Sequence, residues 1–418
     1  MSRHRGSRPT RDVVIVGASL AGFRTAQALR AHAFAGRIHL VGAETHLPYD
    51  RPSLSKGYLA RTDPEADIWL ATLQELDTLD LSLSLGRMAM SLDVEARKVE
   101  LDDGSALSYD QLVVATGASP RLVAGLTESS RPSTVHTLRT IEDARVLSDL
   151  LAGGEPGTRP RLVVVGAGFI GSEVASTGLG LGAEVTMIDA RPTPMHAVLH
   201  DEVGSLLASR QRDANAQLLM GRTVQEIMVT PDEDGGHVTD VRLLDGGSIR
   251  ADLIVVGVGV TPNTTWLESS GLRIDDGLVC DETLRAAPGV WAVGDVCRWG
   301  RRGDPSHRLE HWTNTNAQAD HVAQAIVGGA RAPVFRNVPY YWSDQFGLRI
   351  EVIGEPPPDS DLDVVWGSTG EGSFVGVYRR RGQVAGAVAV NAVRPFLELR
   401  RAVAAATDWT EAVARVSW

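Results

Sequence analysis

The sequence predicts an α/β chain: two domains built on parallel sheets, followed by a smaller α+β domain. Three observations carry this reading. An apolar run that ends in a glycine-rich turn and leads into an apolar-periodic segment occurs near residue 12 and again near residue 161. Each is followed by a second apolar run that ends at or shortly before an acid. From Ala332 onward the pattern changes to short strands separated by turn residues.

The first run, Asp12-Val13-Val14-Ile15-Val16-Gly17-Ala18-Ser19-Leu20-Ala21-Gly22, reads as strand and tight turn, with a helix beyond. A helix N-terminus presents free N–H groups and a positive dipole end, so the turn is a candidate cradle for a dinucleotide pyrophosphate. Glu44, after Ile38-His39-Leu40-Val41, lies about 20 residues beyond the turn, where an acid accepts hydrogen bonds from an adenosine ribose. Ser19 stands where the fingerprint has its second glycine; it is small, so the cradle survives.

The second run, Arg161-Leu162-Val163-Val164-Val165-Gly166-Ala167-Gly168-Phe169-Ile170-Gly171-Ser172-Glu173, carries the full G-x-G-x-x-G. Val185-Thr186-Met187-Ile188 supplies the next strand, and Asp189 ends it. Two Rossmann-like cradles imply two dinucleotides. The Asp189 carboxylate suits a free ribose 2'-hydroxyl and repels a 2'-phosphate, which favours NADH over NADPH. Arg191, two residues on, is either a partial partner for such a phosphate or a solvated loop arginine.

A length of 418 residues accommodates two or three domains. The net charge of -11 argues against general nucleic-acid binding. No stretch approaches the roughly 18 apolar residues of a membrane helix. Residues 1–11 are basic and lack the apolar segment of a signal peptide, which predicts a disordered tail on a cytoplasmic protein. Cys280 and Cys297 do not form C-x-x-C, against a dithiol redox centre. No metal site is expected.

Lys56 and Lys98 are the only lysines. Lys98 reads as a surface charge. Lys56 lies in Tyr49-Asp50-Arg51-Pro52-Ser53-Leu54-Ser55-Lys56, where the Arg-Pro pair predicts an extended residue at Arg51 and Ser53 or Ser55 is a candidate cap for a short helix containing Lys56. Arg51 is a candidate pyrophosphate contact, and the Lys56 ammonium a candidate stabiliser of a reduced flavin anion.

Residues 89–101 and 109–114 read as small strands around the turn Asp102-Asp103-Gly104-Ser105, ending in Ala115-Thr116-Gly117. Residues 120–133 are the crossing to the second domain, residues 138–151 are helical, and residues 153–157 are a turn before the second cradle. Residues 253–263 close the second domain much as residues 115–120 close the first. The chain returns to the first domain by Val290-Trp291-Ala292-Val293-Gly294-Asp295, where Asp295 is placed near a helix start, either to meet a sugar-alcohol hydroxyl or as a cap. A helix over residues 319–327, five strands, a rigid Pro356-Pro357-Pro358 connection and a helix over residues 394–406 complete the chain. The expected domains are a tail over 1–11, a first domain over 12–119 and 252–330, a second over 120–251 and a third over 331–418.

This arrangement, with the Tyr49 to Lys56 segment, Ala115-Thr116-Gly117, the Gly166 to Glu173 turn, Gly294-Asp295-Val296 and Trp342-Ser343-Asp344-Gln345, resembles the NADH-dependent ferredoxin reductases of bacterial oxygenase systems, the type of putidaredoxin reductase and of the reductase components of aromatic-ring dioxygenases. The resemblance covers nearly the whole chain after the tail. It implies a glutathione-reductase-like arrangement: a discontinuous FAD domain, an inserted NADH domain and a C-terminal domain that helps to dock a small iron-sulfur protein. It places FAD contacts at Gly17, Ser19, Gly22, Glu44, Arg51, Lys56, Thr116, Gly117 and Asp295, and NAD contacts at Gly166, Gly168, Ile170, Gly171, Glu173 and Asp189. Glu310 matches a position close to the nicotinamide, and Trp312 and Trp342 match aromatics near the flavin and the partner surface. Lys56 and Glu173 are the expected catalytic pair. Ser19 departs from the pattern, as does Arg210-Gln211-Arg212-Asp213-Ala214-Asn215, which lacks the family's usual His-Arg and Gly-Val.

The implied reaction passes a hydride from NADH to FAD, then single electrons to an iron-sulfur ferredoxin that feeds a terminal oxygenase. Two basic clusters, Arg298-Arg301-Arg302-His307-Arg308 and Arg379-Arg380-Arg381, are candidate docks for an acidic ferredoxin. Alternative functions on the same fold are an NADH oxidase or a quinone or small-molecule reductase, and an NADH-sensing redox binding protein.

Overall fold

In the computed structural model the strand Asp12–Val16 lies between two parallel neighbours, with Val13 opposite Ile38 on one side and Gln111 on the other. The structure describes residues 11–62, 65–127, 129–153, 158–231, 237–301, 304–329, 332–356, 360–405 and 407–414. Residues 1–10 of the expected tail, residues 154–157 of the expected turn, Arg302, and Pro357 and Pro358 of the proline run lie outside these residues, as do the side chains of Arg301 and His307.

The chain divides into two units. The first comprises Met1–Asp50, Trp69–Ser119 and Thr261–Asn337. Its six-stranded sheet runs in the order Arg285–Ala287, Val290–Ala292, Gln111–Val114, Asp12–Val16, Arg37–Gly42, Leu81–Leu85. The central strands are near-continuous Val, Ile and Leu, as a sheet buried on both faces requires. Helix Leu20–Ala31 buries Ala21, Ala26 and Leu29 and packs beside helix Trp312–Gly328, whose Ala319, Val322, Ala323 and Ile326 enter the same core.

The second unit comprises Arg51–Ile68, Pro120–Val260 and Val338–Trp418. Its parallel sheet runs Gln217–Met220, Glu184–Asp189, Arg161–Val165, Leu253–Val256, Val135–His136. A separate five-stranded antiparallel sheet runs Tyr340–Gln345, Leu348–Gly354, Gln383–Val390, Ser373–Arg380, Asp361–Ser368. One face of it buries Phe396, Leu399 and Ala402 of helix Val393–Ala404; the other packs Met195, Leu199, Val203 and Leu207, the last two from helix Asp201–Asp213.

Three expectations are corrected here. Leu253–Val256, read from the sequence as the close of the second domain although the expected boundary at 252 put it in the first, pairs in parallel with Arg161–Val165, because four consecutive apolar residues fill the slot beside that central strand; the return to the first unit falls at Thr261. Residues 51–68 group with the second unit, since the turn Arg51–Ser55 packs on helices Ile141–Ala152 and Phe169–Gly180. The residues from Val338 onward likewise group with the second sheet through the core that contains Met195 and Tyr341.

Candidate active site

Both glycine-rich turns have the geometry that a pyrophosphate needs. Gly17 adopts φ +117°, and a Cβ there would lie 2.0 Å from the Ala115 carbonyl oxygen; one at Gly22 would lie 1.8 Å from that of Gly17. The second turn repeats this: Gly166 has φ +102° with the Gly257 oxygen 2.3 Å from a built Cβ, and Gly171 has the Gly166 oxygen at 1.9 Å. Gly168 differs, because a Cβ there meets nothing within 4 Å. Gly168 (φ -77°, ψ -164°) and Ser19 (φ -88°, ψ -160°) are the N-caps of their helices with nearly the same backbone, so the serine occupies the glycine's place without distorting the turn. The geometry fits a dinucleotide at each helix N-terminus.

Acids follow each second strand as expected. Glu44 accepts a hydrogen bond on Oε2 from the Tyr49 hydroxyl at 2.5 Å, within an aromatic group of His46, Tyr49 and Trp69. Asp189 is clamped more firmly: Oδ2 accepts from the Ala167 amide of the glycine turn at 2.6 Å and Oδ1 from the Arg191 amide at 2.7 Å. Two amide donors fix its side chain against the turn. Ile170, the second residue of helix Phe169–Gly180, is exposed.

Thr116 and Gly117 are fixed within the first unit by Asn263. The Thr116 hydroxyl donates to the Asn263 carbonyl at 2.8 Å, the Asn263 side-chain amide donates to the Thr116 carbonyl at 2.9 Å, and the Asn263 backbone N–H donates to the Gly117 carbonyl at 3.0 Å. The Gly294 amide donates to Gln318 Oε1 at 2.7 Å. No helix follows Asp295: the strand Cys297–Arg301 does, and the helix begins at Trp312, so Asp295 is not its cap. Trp312 donates through Nε1 to Asp50 at 2.8 Å. Its neighbour His311 is half-buried at the N-cap of that helix, and desolvation pushes its imidazole down to about 4 against the opposing pull of Asp295.

Lys56 and Glu173, expected as the catalytic pair, form an ion pair. Lys56 Nζ donates to Glu173 Oε2 at 2.7 Å and to the Pro52 carbonyl at 2.9 Å, with side-chain exposures of 22% for Lys56 and 4% for Glu173. The short helix ends at Ser55, before Lys56, and neither expected serine is its cap; the Ser55 hydroxyl instead donates to Glu173 Oε2 at 2.5 Å. Glu173 Oε1 accepts from the Ser343 hydroxyl at 2.7 Å. A carboxylate nearly withdrawn from water is thus met by one ammonium and two hydroxyls, the donors such a charge requires. Arg51 donates to the Arg139 carbonyl.

Glu310 and Arg308 form an ion pair at 2.6 Å, and Arg308 also binds Asp276 at 3.0 Å. Arg298 binds Asp275 at 3.1 Å, and Arg379 binds Asp363 at 3.1 Å. Arg298 and Arg308 of the first basic cluster and Arg379 of the second are therefore partly neutralised by acids that the sequence reading left out. Trp342 is half-buried, with the Arg349 guanidinium 5.4 Å from its ring centroid. Both cysteines are free and buried, and burial raises the Cys280 thiol well above its usual range. Among the described residues no cluster of His, Cys, Asp and Glu is placed to hold a metal, and no helix is long and apolar enough to cross a membrane.

A chain with two dinucleotide turns on parallel sheets, and no thiol pair exposed for chemistry, is an oxidoreductase that works through nucleotide cofactors. It belongs to the pyridine nucleotide-disulphide oxidoreductase family, which it matches over residues 11–319; residues 340–415 match the reductase C-terminal family. It is 35% identical over 395 residues to the ferredoxin reductase component of chlorobenzene dioxygenase from Cupriavidus sp., covering 94% of this chain and 92% of that protein. Rhodocoxin reductase from Rhodococcus erythropolis is 34% identical over 94% of this chain and 89% of its own length. The crystal structure of the covalent putidaredoxin reductase–putidaredoxin complex superposes with a TM-score of 0.88 at 29% identity, over 98% of each chain.

Proposed function

We propose that this chain is an FAD-containing ferredoxin reductase that oxidises NADH and passes single electrons to an iron-sulfur ferredoxin serving an oxygenase. The observation that carries the proposal is the end-to-end match, C-terminal domain included, to proteins named as ferredoxin reductase components of dioxygenase systems. FAD supplies the conversion from a two-electron donor to one-electron acceptors.

The chain's own residues bind and orient. Gly17, Ser19, Gly22, Glu44, Thr116, Gly117 and Asp295 are assigned to FAD, together with Arg51 and Trp312. Gly166, Gly168, Ile170, Gly171 and Asp189 are assigned to NADH, with Glu310 towards its nicotinamide. The clamp of two amides on Asp189 supports NADH as the substrate, since a fixed carboxylate repels a 2'-phosphate. Lys56 carries the positive charge that favours reduced flavin, and Glu173 fixes its position. Trp342 and the C-terminal domain are assigned to the face that meets the ferredoxin. FAD is assigned to the sheet centred on Asp12–Val16, and NADH to the sheet centred on Arg161–Val165. We place the reaction in the cytoplasm, where thiols such as Cys280 and Cys297 stay reduced.

The test is an anaerobic titration of the FAD-loaded protein with NADH, followed by oxidised ferredoxin. Bleaching of the flavin absorbance by NADH and its recovery on adding ferredoxin are expected. A flavin spectrum unmoved by NADH would refute the proposal.

A further inference from the structure

Glu173 ends a chain of buried amides and hydroxyls that the reaction as described does not use. Gln211 Nε2, on helix Asp201–Asp213, donates to Gln345 Oε1 at 3.3 Å; Gln345 Nε2 donates to Ser343 Oγ at 3.0 Å; Ser343 Oγ donates to Glu173 Oε1 at 2.7 Å. All four are at most 3% exposed. A serine hydroxyl has one proton, and because Gln345 occupies its acceptor side, that proton is committed to the carboxylate. Every donor in the chain points the same way, towards Glu173, so each bond polarises the next. Gln345 Nε2 also meets Met195 Sδ at 3.3 Å, and the Met195 amide donates to the Ala167 carbonyl of the second glycine turn.

We propose that Ser343 and Gln345 are positioning residues that hold the Glu173 side chain in a fixed orientation, and so set how far Glu173 neutralises Lys56. The inference rests on the redox role assigned above to Lys56 and Glu173. Glu173 Oε2 is shared by Lys56 and Ser55, while Oε1 has Ser343. Without the Ser343 hydroxyl, the buried carboxylate draws its compensation from Lys56 and Ser55. The ammonium is then more fully neutralised, and reduced flavin loses stabilisation.

The test uses the FAD-loaded protein with Ser343→Ala, Gln345→Met and Ser343→Thr, each also in a Glu173→Ala background, with FAD content and melting temperature confirming the fold. Two quantities are measured: the flavin midpoint potential by dye equilibration, and the rate of anaerobic reduction by NADH. With Glu173 present, Ser343→Ala is expected to slow reduction about tenfold and to lower the potential by about 30 mV, the equivalent of tenfold for a two-electron couple. Gln345→Met is expected to act in the same direction more weakly, and Ser343→Thr, which keeps the hydroxyl, to restore the parent values. In the Glu173→Ala background neither substitution is expected to act further. If Glu173→Ala shifts potential and rate but Ser343→Ala and Gln345→Met do not, or if they act equally in both backgrounds, the positioning role is overturned and the Lys56–Glu173 assignment stands. If Glu173→Ala itself changes neither quantity, the assignment falls and this inference with it.

Discussion

Gly168→Ala separates folding from cofactor approach within a single turn. A Cβ at Gly171 would lie 1.9 Å from a backbone oxygen that cannot yield without opening the turn, so Gly171→Ala is expected to cost about 3 kcal/mol or more. At Gly168 a Cβ meets nothing within 4 Å, and the backbone at φ -77° is open to any residue. Alanine there lowers the entropy of the unfolded chain by about 0.4–1 kcal/mol and loses a similar amount as a poorer N-cap, so the net change is within about 1 kcal/mol. That corresponds to a melting shift of no more than about 4 °C. The open space at Gly168 is where the proposed assignment puts the pyrophosphate of NADH, and on that assignment a methyl group there is expected to weaken NAD binding about tenfold, near 1.4 kcal/mol. Thermal melting and an NAD titration read the two effects separately. Unchanged NAD affinity, or a collapse in melting temperature, would refute the assignment of this turn.

Three further outcomes follow from the site. Lys56→Met leaves Glu173 buried without its cation; with two hydroxyls remaining, about 2–3 kcal/mol of stability is expected to be lost in chemical denaturation, and NADH-driven reduction to slow while FAD is retained. Asp189→Ala removes the carboxylate that opposes a 2'-phosphate, and the ratio of kcat/KM for NADH over NADPH is expected to fall at least about tenfold, measured by steady-state kinetics. His311, held neutral with its imidazole down at about 4, takes up its proton only on unfolding at pH values between there and 6.5; stability is therefore expected to fall by up to about 3 kcal/mol as pH drops from 6.5 to about 4, and to level off below. His311→Gln is expected to remove that slope from a pH series of melting curves.

The glycine turns were legible because a strand, a turn and a helix N-terminus are consecutive residues, and Gly17 and Gly166 carry the positive φ their position demands. Asp189 was legible for the same reason, since it ends the strand beside the turn that it clamps. The pairing of Lys56 with Glu173, 117 residues apart, was available only through resemblance, because nothing local in either segment encodes the other. Ser343, 170 residues from Glu173, was quoted only as part of a motif and had no role until the strand Tyr340–Gln345 was seen against helix Phe169–Gly180. Ser55 was misread as a cap because serine favours helix starts, whereas a buried carboxylate competes more strongly for its proton. The boundary at Leu253–Val256 was misplaced because a continuous apolar run fits the middle of either sheet; parallel pairing with Arg161–Val165 decides it.

The measurement that tests the central claim most directly is anaerobic, NADH-driven reduction of cytochrome c by the FAD-loaded protein, with and without an added bacterial iron-sulfur ferredoxin. The account predicts that cytochrome c reduction depends strongly on the ferredoxin and rises with its concentration to saturation. Cytochrome c reduction that is indifferent to several ferredoxins, with rapid NADH consumption once oxygen or a quinone is admitted, would contradict it.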